Sequence, residues 1–169
     1  MLKALLAALV LMAACAAALS QSIIRLEGSE WQFFTLLSDY NRRKVTRLGP
    51  QRYKVWVRIR LDRQNLSQER QELIDQRRRK GLPIDGYSRY SYNLSLYEVD
   101  CGQERIKVLR SVDYDQGDNV LETTDLEDGS QWEDTIPNSQ GDSLVTVFCA
   151  EMAVVKSRER LGTRQAHRP

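Results

Sequence analysis

Histidine is almost missing from this sequence, since His167 is the only one among its 169 residues. It lies in a tail that we expect to be disordered, so no histidine-dependent triad, dyad or metal cluster can be built around it. Cysteine is also scarce, at three residues, and without a reactive free thiol, cysteine–histidine catalysis is excluded as well. The sequence therefore predicts a protein that is not an enzyme and that holds no metal or cofactor.

Carboxylates are the one kind of catalytic group that the sequence supplies in a cluster. The acidic run DLEDGSQWED covers residues 125–134. An EF-hand calcium loop would need aspartate at the positions before Gly129 that Thr124, Leu126 and Asp128 occupy, and the first two are not aspartate. We interpret the run as a solvated loop and keep a carboxylate-dependent hydrolase as the least favoured alternative.

A strong charge of either sign is missing too. The chain has 25 basic and 23 acidic side chains, which gives a formal net charge of +2. General nucleic-acid binding depends on a strongly basic surface, and this balance does not suggest one. Without its first twenty residues the chain has about 150 left, which is enough for one domain with an ordinary core.

Long apolar runs are confined to the N-terminus. Residues 1–20 place Lys3 ahead of an unbroken apolar stretch, which is typical of an export signal. The run is short for a membrane span, which needs about 20 apolar residues. Two cuts remain open: signal peptidase would start the mature chain at Gln21, whereas the letters MAAC, ending at Cys15, resemble a bacterial lipobox in which that cysteine is lipidated. Both predict an exported protein, and an uncleaved anchor is the third, less favoured alternative.

Export decides how the cysteines are interpreted. Cys15 is discarded by one cut and blocked by lipid after the other, so Cys101 and Cys149 are left as a pair in an oxidising compartment. Widely spaced thiols normally close there, and we predict the disulfide Cys101–Cys149. Cys101 stands at the corner between two alternating segments, so the purpose of the bridge is structural.

Alternating apolar and polar residues predict an antiparallel sheet of about five or six strands. Residues 21–29 form a lead-in, and the domain covers residues 30–155. The clearest strand is RYKVWVRIRLD, which is apolar at alternate positions from Tyr53 to Leu61 and carries Lys54, Trp56, Arg58 and Arg60 on its other, wet face. The other predicted strands are EWQFFTLLSDY, RRKVTRL, YSRYSYNLSLYEVD, QERIKVLRSVDYD and NVLETTDL. In the third of these, Tyr90 and Tyr92 are expected on one face.

Two helices are predicted beside the sheet. Residues 65–80 have helical composition with a cap at Asn65, and we treat residues 65–83 as a helical insertion on the margin of the sheet. GDSLVTVFCAEMAVVKSRERL is predicted as a helix packed on the sheet, with a strand at Leu144–Phe148 as the competing interpretation. Residues 156–169 are expected to form a basic, disordered tail. The fold class is therefore α+β, with a disulfide that ties the C-terminal helix to the sheet.

Several distinctive local features lie along the exported part of the chain. They are Trp31 at the start of the first strand, VWV in the clearest strand, the Asp100-Cys101 corner, Trp132 followed by IPNS, and the late cysteine in a helix. In these features the chain resembles the bacterial surface-adhesin protein E-like family from Trp31 to Ala153. The resemblance implies an antiparallel sheet with a C-terminal helix tied by a disulfide, in an exported protein of Gram-negative bacteria. The type member is a lipoprotein adhesin that binds host extracellular-matrix and serum proteins, and many relatives have no assigned role.

Basic side chains are the candidate ligand contacts. Lys54, Arg58 and Arg60 share the wet face of the clearest strand, and the run Arg77, Arg78, Arg79 and Lys80 ends the insertion helix. Arginines are favoured at helix C-termini, which is the ordinary explanation of that run. Our hypothesis is that the strand residues join the basic tail in one surface.

The sequence thus predicts an exported, non-enzymatic binding protein that contacts a protein or an envelope polymer through its sheet face and basic margin. It would be periplasmic or at the cell surface, and attached to a membrane if Cys15 is lipidated. The alternative is an accessory structural lipoprotein of the envelope whose partner is another bacterial protein. Nucleic acid is not expected as a partner, and an exposed sheet edge would permit a dimer.

Overall fold

The structure is a computed structural model that describes residues 22–24 and 28–166, so the predicted export signal at residues 1–20 lies outside the described residues. The strands are β1 Ser22–Ile24, β2 Trp31–Phe33, β3 Ser38–Asn41, β4 Val45–Arg47, β5 Arg52–Arg60, β6 Tyr90–Asp100, β7 Arg105–Asp115, β8 Val120–Asp125 and β9 Glu133–Asp134. The helices are α1 Leu66–Arg79 and α2 Gln140–Ala166, and a 3-10 turn covers Tyr87–Arg89.

The described strands form one antiparallel sheet in the order β1-β4-β5-β6-β7-β8. Strand β3 also pairs with β5 and carries β2, while β9 pairs with the start of β7. The predicted antiparallel sheet is confirmed, with nine strands in place of five or six. One reason is that EWQFFTLLSDY is not one strand: it turns at residues 34–37, where the Phe34 amide donates to the Ser38 carbonyl at 3.1 Å.

The core lies between the sheet and α2, as the alternation along β5 predicted. Tyr53, Val55 and Val57 are at most 2% exposed and pack with buried residues of α2. Phe148 of α2 makes edge contacts with the rings of Tyr53 and Tyr40, at 5.6 and 5.3 Å between centroids. These side chains exclude water from one face of the sheet, which is the main source of stability for a domain of this size.

The C-terminal segment is helical, so the competing strand at Leu144–Phe148 is wrong. Its apolar residues recur at helical spacing and meet the sheet on one side. The helix runs on to Ala166, which corrects the prediction of a disordered tail over residues 156–166. The sequence there, KSRERLGTRQA, is rich in good helix formers and contains no proline. Neither helix of the described part of the chain is long and apolar enough to cross a membrane.

The predicted disulfide Cys101–Cys149 is confirmed, with 5.6 Å between the two Cα atoms. Cys101 follows the last residue of β6, and Cys149 lies in the first half of α2. A second tie joins the same helix to β3 and the turn after it, because Glu151 accepts hydrogen bonds from the Tyr40 hydroxyl and from Arg42. The helix is therefore held to the sheet by packing, by one covalent bond and by an ion pair.

Helix α1 lies beside the sheet as predicted, but its start differs from the expected cap. Asn65 precedes the helix without a side-chain cap hydrogen bond, since its amide is turned towards Asp62 at 3.4 Å. The Arg70 side chain donates to the Tyr90 carbonyl at 2.7 Å and so joins the helix to the start of β6. Contacts of this kind position the helix without burying much apolar surface.

Candidate ligand-binding face

The sheet has a second face that α2 does not cover, which we call the open face. On β5 it carries the polar set of the alternation, and the strand register extends it to the neighbouring strands. Its paired residues across β5, β6 and β7 are Trp56 with Leu96, Arg58 with Leu94, Arg60 with Tyr92, Leu94 with Val112, and Tyr92 with Tyr114. The open face is thus a mixture of arginines and half-buried apolar or aromatic side chains.

Each of the chain's three tryptophans contributes to the open face. Trp56 lies at its centre on β5. Trp31 of β2 stacks under the guanidinium of Arg58, with 4.1 Å between the guanidinium carbon and the ring centroid. Trp132 contacts arginines of this same face near the start of β5 and of β7. Tryptophans packed against arginines on an open sheet face are a composition that protein interfaces favour.

The edge of the open face holds the cluster that we call the Asp39 cluster, formed by Trp31, Phe33, Asp39, Arg58 and Arg60. Asp39 is 0% exposed and accepts a two-pronged bond from Arg58, Nε to Oδ1 at 3.1 Å and Nη2 to Oδ2 at 2.9 Å. Arg60 Nη2 donates to the same Oδ2 at 2.6 Å. The Arg60 guanidinium also lies 5.4 Å from the ring centroid of Phe33.

The other end of the open face holds the Trp132 cluster, formed by Trp132, Arg52, Arg105, Glu98 and Asp100. The Trp132 ring lies 5.4 Å from the Arg52 guanidinium and 4.8 Å from that of Arg105. Arg52 Nε donates to Glu98 at 3.0 Å, and Arg105 pairs with Asp100 at 3.5 Å. Each arginine of this cluster therefore has a carboxylate of its own.

The predicted basic residues do not form one surface. Lys54, Arg58 and Arg60 lie on the open face, and Lys54 pairs with Glu127 of the acidic run at 3.5 Å. The end of α1 meets the other face, because Arg77 binds Glu122, whose strand partner is Asp113 on the α2 side. The C-terminal helix packs on that side too, so the described basic residues are divided between the two faces of the sheet.

Arg77 serves the fold and is not available to a ligand. It is 6% exposed, donates from Nη1 to Glu122 at 2.7 Å, and lies 3.9 Å from the ring centroid of Tyr87. The Tyr87 hydroxyl donates to Asp113 at 2.7 Å. Burial first, and then the bond to Asp113, raises the pKa of Tyr87. The exposed members of the run are Arg78, which pairs with Asp75, together with Arg79 and Lys80.

Two tyrosines that were expected on one face lie on opposite faces. A bulge between Tyr90 and Tyr92 shifts the register of β6 against β7. Tyr90 stacks on Tyr87 at 5.9 Å on the α2 side, whereas Tyr92 stacks on Tyr114 at 4.8 Å on the open face. Burial and a hydrogen bond to Asp118 raise the pKa of Tyr92 to about 12.

Carboxylates gather in a groove of about 550 Å³ beside α1, which is lined by Leu61, Glu69, Glu72, Leu73, Asp75, Gln76 and Arg79. Glu69 accepts from the Asp62 amide at 3.0 Å, and Asp75 accepts from Gln71 at 3.0 Å, so these groups serve the helix and the turn before it. Among the described residues no group of three histidine, cysteine or acidic side chains is placed to hold a metal ion.

Where the pKa of a described carboxyl group is shifted from its ordinary value, it is lowered. The bond from Arg77 lowers the pKa of Glu122, and backbone donors led by the Asn119 amide lower that of Asp115. A general acid needs a raised pKa, so neither group suits that role.

Sequence reasoning named Arg58 and Arg60 as candidates but missed Trp31, Phe33 and Asp39, which complete their cluster. The letters WQF carried a usable signal, since alternate positions of a strand share a face. These letters do not show which strands are neighbours in the sheet. The register of β2 on β3, and of β3 on β5, is what brings Phe33 and Asp39 to the arginines.

Comparison with protein families supports the resemblance seen in the sequence. The family model described as surface-adhesin protein E matches residues 35–150, a range that contains both disulfide cysteines and most of the sheet. Comparison with curated proteins gives no match. The matched range and the helix tied to an antiparallel sheet agree with each other, and the chain belongs to the surface-adhesin protein E family.

Proposed function

We propose that this chain is an exported, non-enzymatic binding protein that contacts a protein partner through the open face of its sheet. The observation that carries the proposal is the concentration of tryptophan and arginine on the face opposite α2. Trp and Arg are over-represented among the residues that dominate binding energy at protein interfaces, where they bury large areas and still offer donors. The family to which the chain belongs is described as surface-adhesin protein E, which agrees with a binding role at the cell surface.

The proposed location is the periplasm or the cell surface, with membrane attachment if Cys15 is lipidated. The intact mass of the protein isolated from its producing cell distinguishes the two mature forms. A chain that begins at a lipidated Cys15 and is cleaved by protease added to whole cells supports a surface-anchored adhesin. A chain that begins at Gln21 and is protected inside intact cells supports a periplasmic accessory protein.

The function is tested by adhesion of cells that produce the full chain to immobilised extracellular-matrix and serum proteins. Phe33 at the edge of the open face is 56% exposed, and Val154 on the outer side of α2 is 53% exposed. Phe33→Ser and Val154→Ser therefore remove similar exposed apolar groups from opposite sides of the molecule. We expect Phe33→Ser to reduce adhesion about fivefold or more, as the loss of an interface residue does, and Val154→Ser to leave it unchanged.

The result that contradicts the proposal is equal adhesion by the Phe33→Ser variant and the unaltered chain at equal surface amounts. A photoreactive residue at position 33 provides a second test. If the cells do not adhere and this residue cross-links the chain to another envelope protein of the same bacterium, the accessory role replaces adhesion.

A further inference from the structure

We propose that the Asp39 cluster is a carboxylate-binding site, and that the partner reaches it with an acidic, partly apolar segment of protein. The inference rests on the proposed function for its biological meaning, because it names the chemistry of the partner at one edge of the open face. It concerns the five residues of the cluster and the two exposed leucines beside them.

The charges of the cluster do not balance. Arg58 and Arg60 share the single carboxylate of Asp39, so the cluster keeps one positive charge in excess. In the Trp132 cluster, by contrast, Arg52 and Arg105 pair with two carboxylates. The two clusters thus differ in charge balance: among the described residues, the Asp39 cluster has one paired carboxylate for two arginines, whereas the Trp132 cluster has two.

The arginines of the Asp39 cluster also have donors to spare. Arg58 uses Nε and Nη2 and Arg60 uses Nη2 on Asp39, and within the described residues no protein acceptor bonds Nη1 of either arginine or Nε of Arg60. The side chains are 24% and 30% exposed, so these donors can be reached from solvent. A guanidinium binds a carboxylate with paired N–H donors, and such charge-assisted bonds are the stronger ones.

The surroundings favour a protein segment over a small free anion. The Trp31 ring stacks on Arg58 and the Phe33 ring lies near Arg60, which fixes both guanidiniums beside apolar surface. Leu37, whose carbonyl accepts from the Arg60 amide at 2.9 Å, is 38% exposed, and Leu36 is 96% exposed. A partner that matches this edge has an acidic side chain for the arginines and apolar side chains for the leucines and Phe33.

The experiment uses the purified exported protein and a fluorescein-labelled peptide of alternating glutamate and leucine, followed by fluorescence anisotropy at low salt. The first control is the same peptide with glutamine in place of glutamate. The second is a pair of variants with the same change of charge: Arg60→Gln in the Asp39 cluster and Arg52→Gln in the Trp132 cluster. Far-UV circular dichroism verifies that both variants are folded.

We expect the glutamate peptide to bind the unaltered protein at least about tenfold more tightly than the glutamine peptide, and Arg60→Gln to remove most of that difference, since one charge-assisted pair accounts for roughly that factor. Arg52→Gln should change the affinity by less than about twofold, because its cluster is already balanced. Arg60→Lys, which keeps the charge but loses the paired donors, should lie between.

Three results overturn the proposal: equal binding of the two peptides, an equal loss in Arg52→Gln and Arg60→Gln, or tighter binding of a heparin-derived oligosaccharide through Arg60. The comparison of the two peptides uses the unaltered protein, so it tests the proposal even if the Arg60→Gln variant does not fold. Adhesion that depends on Phe33 but not on Arg60 would leave the proposed function standing and refute this site. Peptide binding through Arg60 by a protein that does not mediate adhesion would do the reverse.

Discussion

Removing the disulfide tests how the helix is held to the sheet. The perturbation is the double replacement Cys101→Ser with Cys149→Ser, which deletes the covalent tie and leaves no free thiol at either position. The two cysteines are 48 residues apart. Closing a loop of that length restricts the unfolded chain, and the chain-entropy model gives about 4 kcal/mol for its contribution to the free energy of unfolding.

The packing of α2 decides whether the variant still folds. Leu144, Phe148 and Met152 are at most 2% exposed against the sheet. Side chains of this size contribute about 1.5–3 kcal/mol each when fully buried, and none of them depends on the disulfide. We therefore expect the double variant to keep α2 on the sheet and to unfold cooperatively, but at a lower free energy.

The assay is urea unfolding followed by tryptophan fluorescence and by circular dichroism. With a slope of about 2 kcal/mol per molar urea, a loss of about 4 kcal/mol lowers the midpoint by roughly 2 M. The unaltered protein with reductant should unfold at the same midpoint as the variant, which is the control for effects of serine. A shift smaller than about 0.5 M would refute the reasoning, since the bridge would then not restrict the unfolded chain as supposed.

Three further predictions concern buried polar groups. Tyr87→Phe removes a hydroxyl that contacts two carboxylates from a 1%-exposed side chain, so it should lower the free energy of unfolding by about 1–3 kcal/mol in urea; an unchanged free energy would contradict a stabilising role of these hydrogen bonds. Burial raises the pKa of Tyr40 and of Tyr87 above the ordinary 10.0. The contribution of these two groups to the free energy of unfolding is therefore complete below pH 10.0 and is lost as the pH rises towards their higher pKa values in the folded protein. Absorbance at 295 nm should show that both tyrosines ionise late, together with unfolding. Asp39→Asn should lower the free energy of unfolding by about 1–3 kcal/mol, because the partly exposed arginines lose the negative charge and one of its two acceptor oxygens but regain water; thermal unfolding should detect the loss.

The parts of the fold that could be predicted are those written in local periodicity. Strand β5 alternates over its nine residues, so the sequence alone distinguished its core residues from Lys54, Arg58 and Arg60. The disulfide followed from a different kind of argument, since the predicted export would remove one of three cysteines from consideration and leave one pairing. Both predictions needed no knowledge of which strands are neighbours.

The parts that failed are those that depend on tertiary register. The bulge that sends Tyr90 and Tyr92 to opposite faces is a property of the pairing between β6 and β7 and leaves no mark in the alternating letters. Arg77 is the same residue type as its neighbours Arg78 and Arg79, yet it is buried because Glu122, which lies 45 residues further along the chain, and the ring of Tyr87 pack against it. A prediction from charge runs alone therefore overestimates the area of exposed basic surface.

The division of the sheet into two faces explains how one domain can keep several half-buried aromatic side chains outside its core and remain stable. Packing, the disulfide and the Glu151 ion pair hold α2 against one face, so the open face does not have to supply the core. Trp31 and Phe33 lie against arginines instead, which keeps these rings ordered without removing them from the surface.

This arrangement also separates the part of the fold that family members can share from the part that can differ between them. Cys101, Cys149 and the core strands lie within the matched range of residues 35–150, whereas Trp31 and Phe33 precede it. The Asp39 cluster is thus completed by a short edge strand outside the matched range, which only one neighbour, β3, holds in the sheet. Substitutions in such a strand would alter the proposed ligand-binding edge while leaving the helix, the disulfide and the core untouched, so the partner could change without a change of fold.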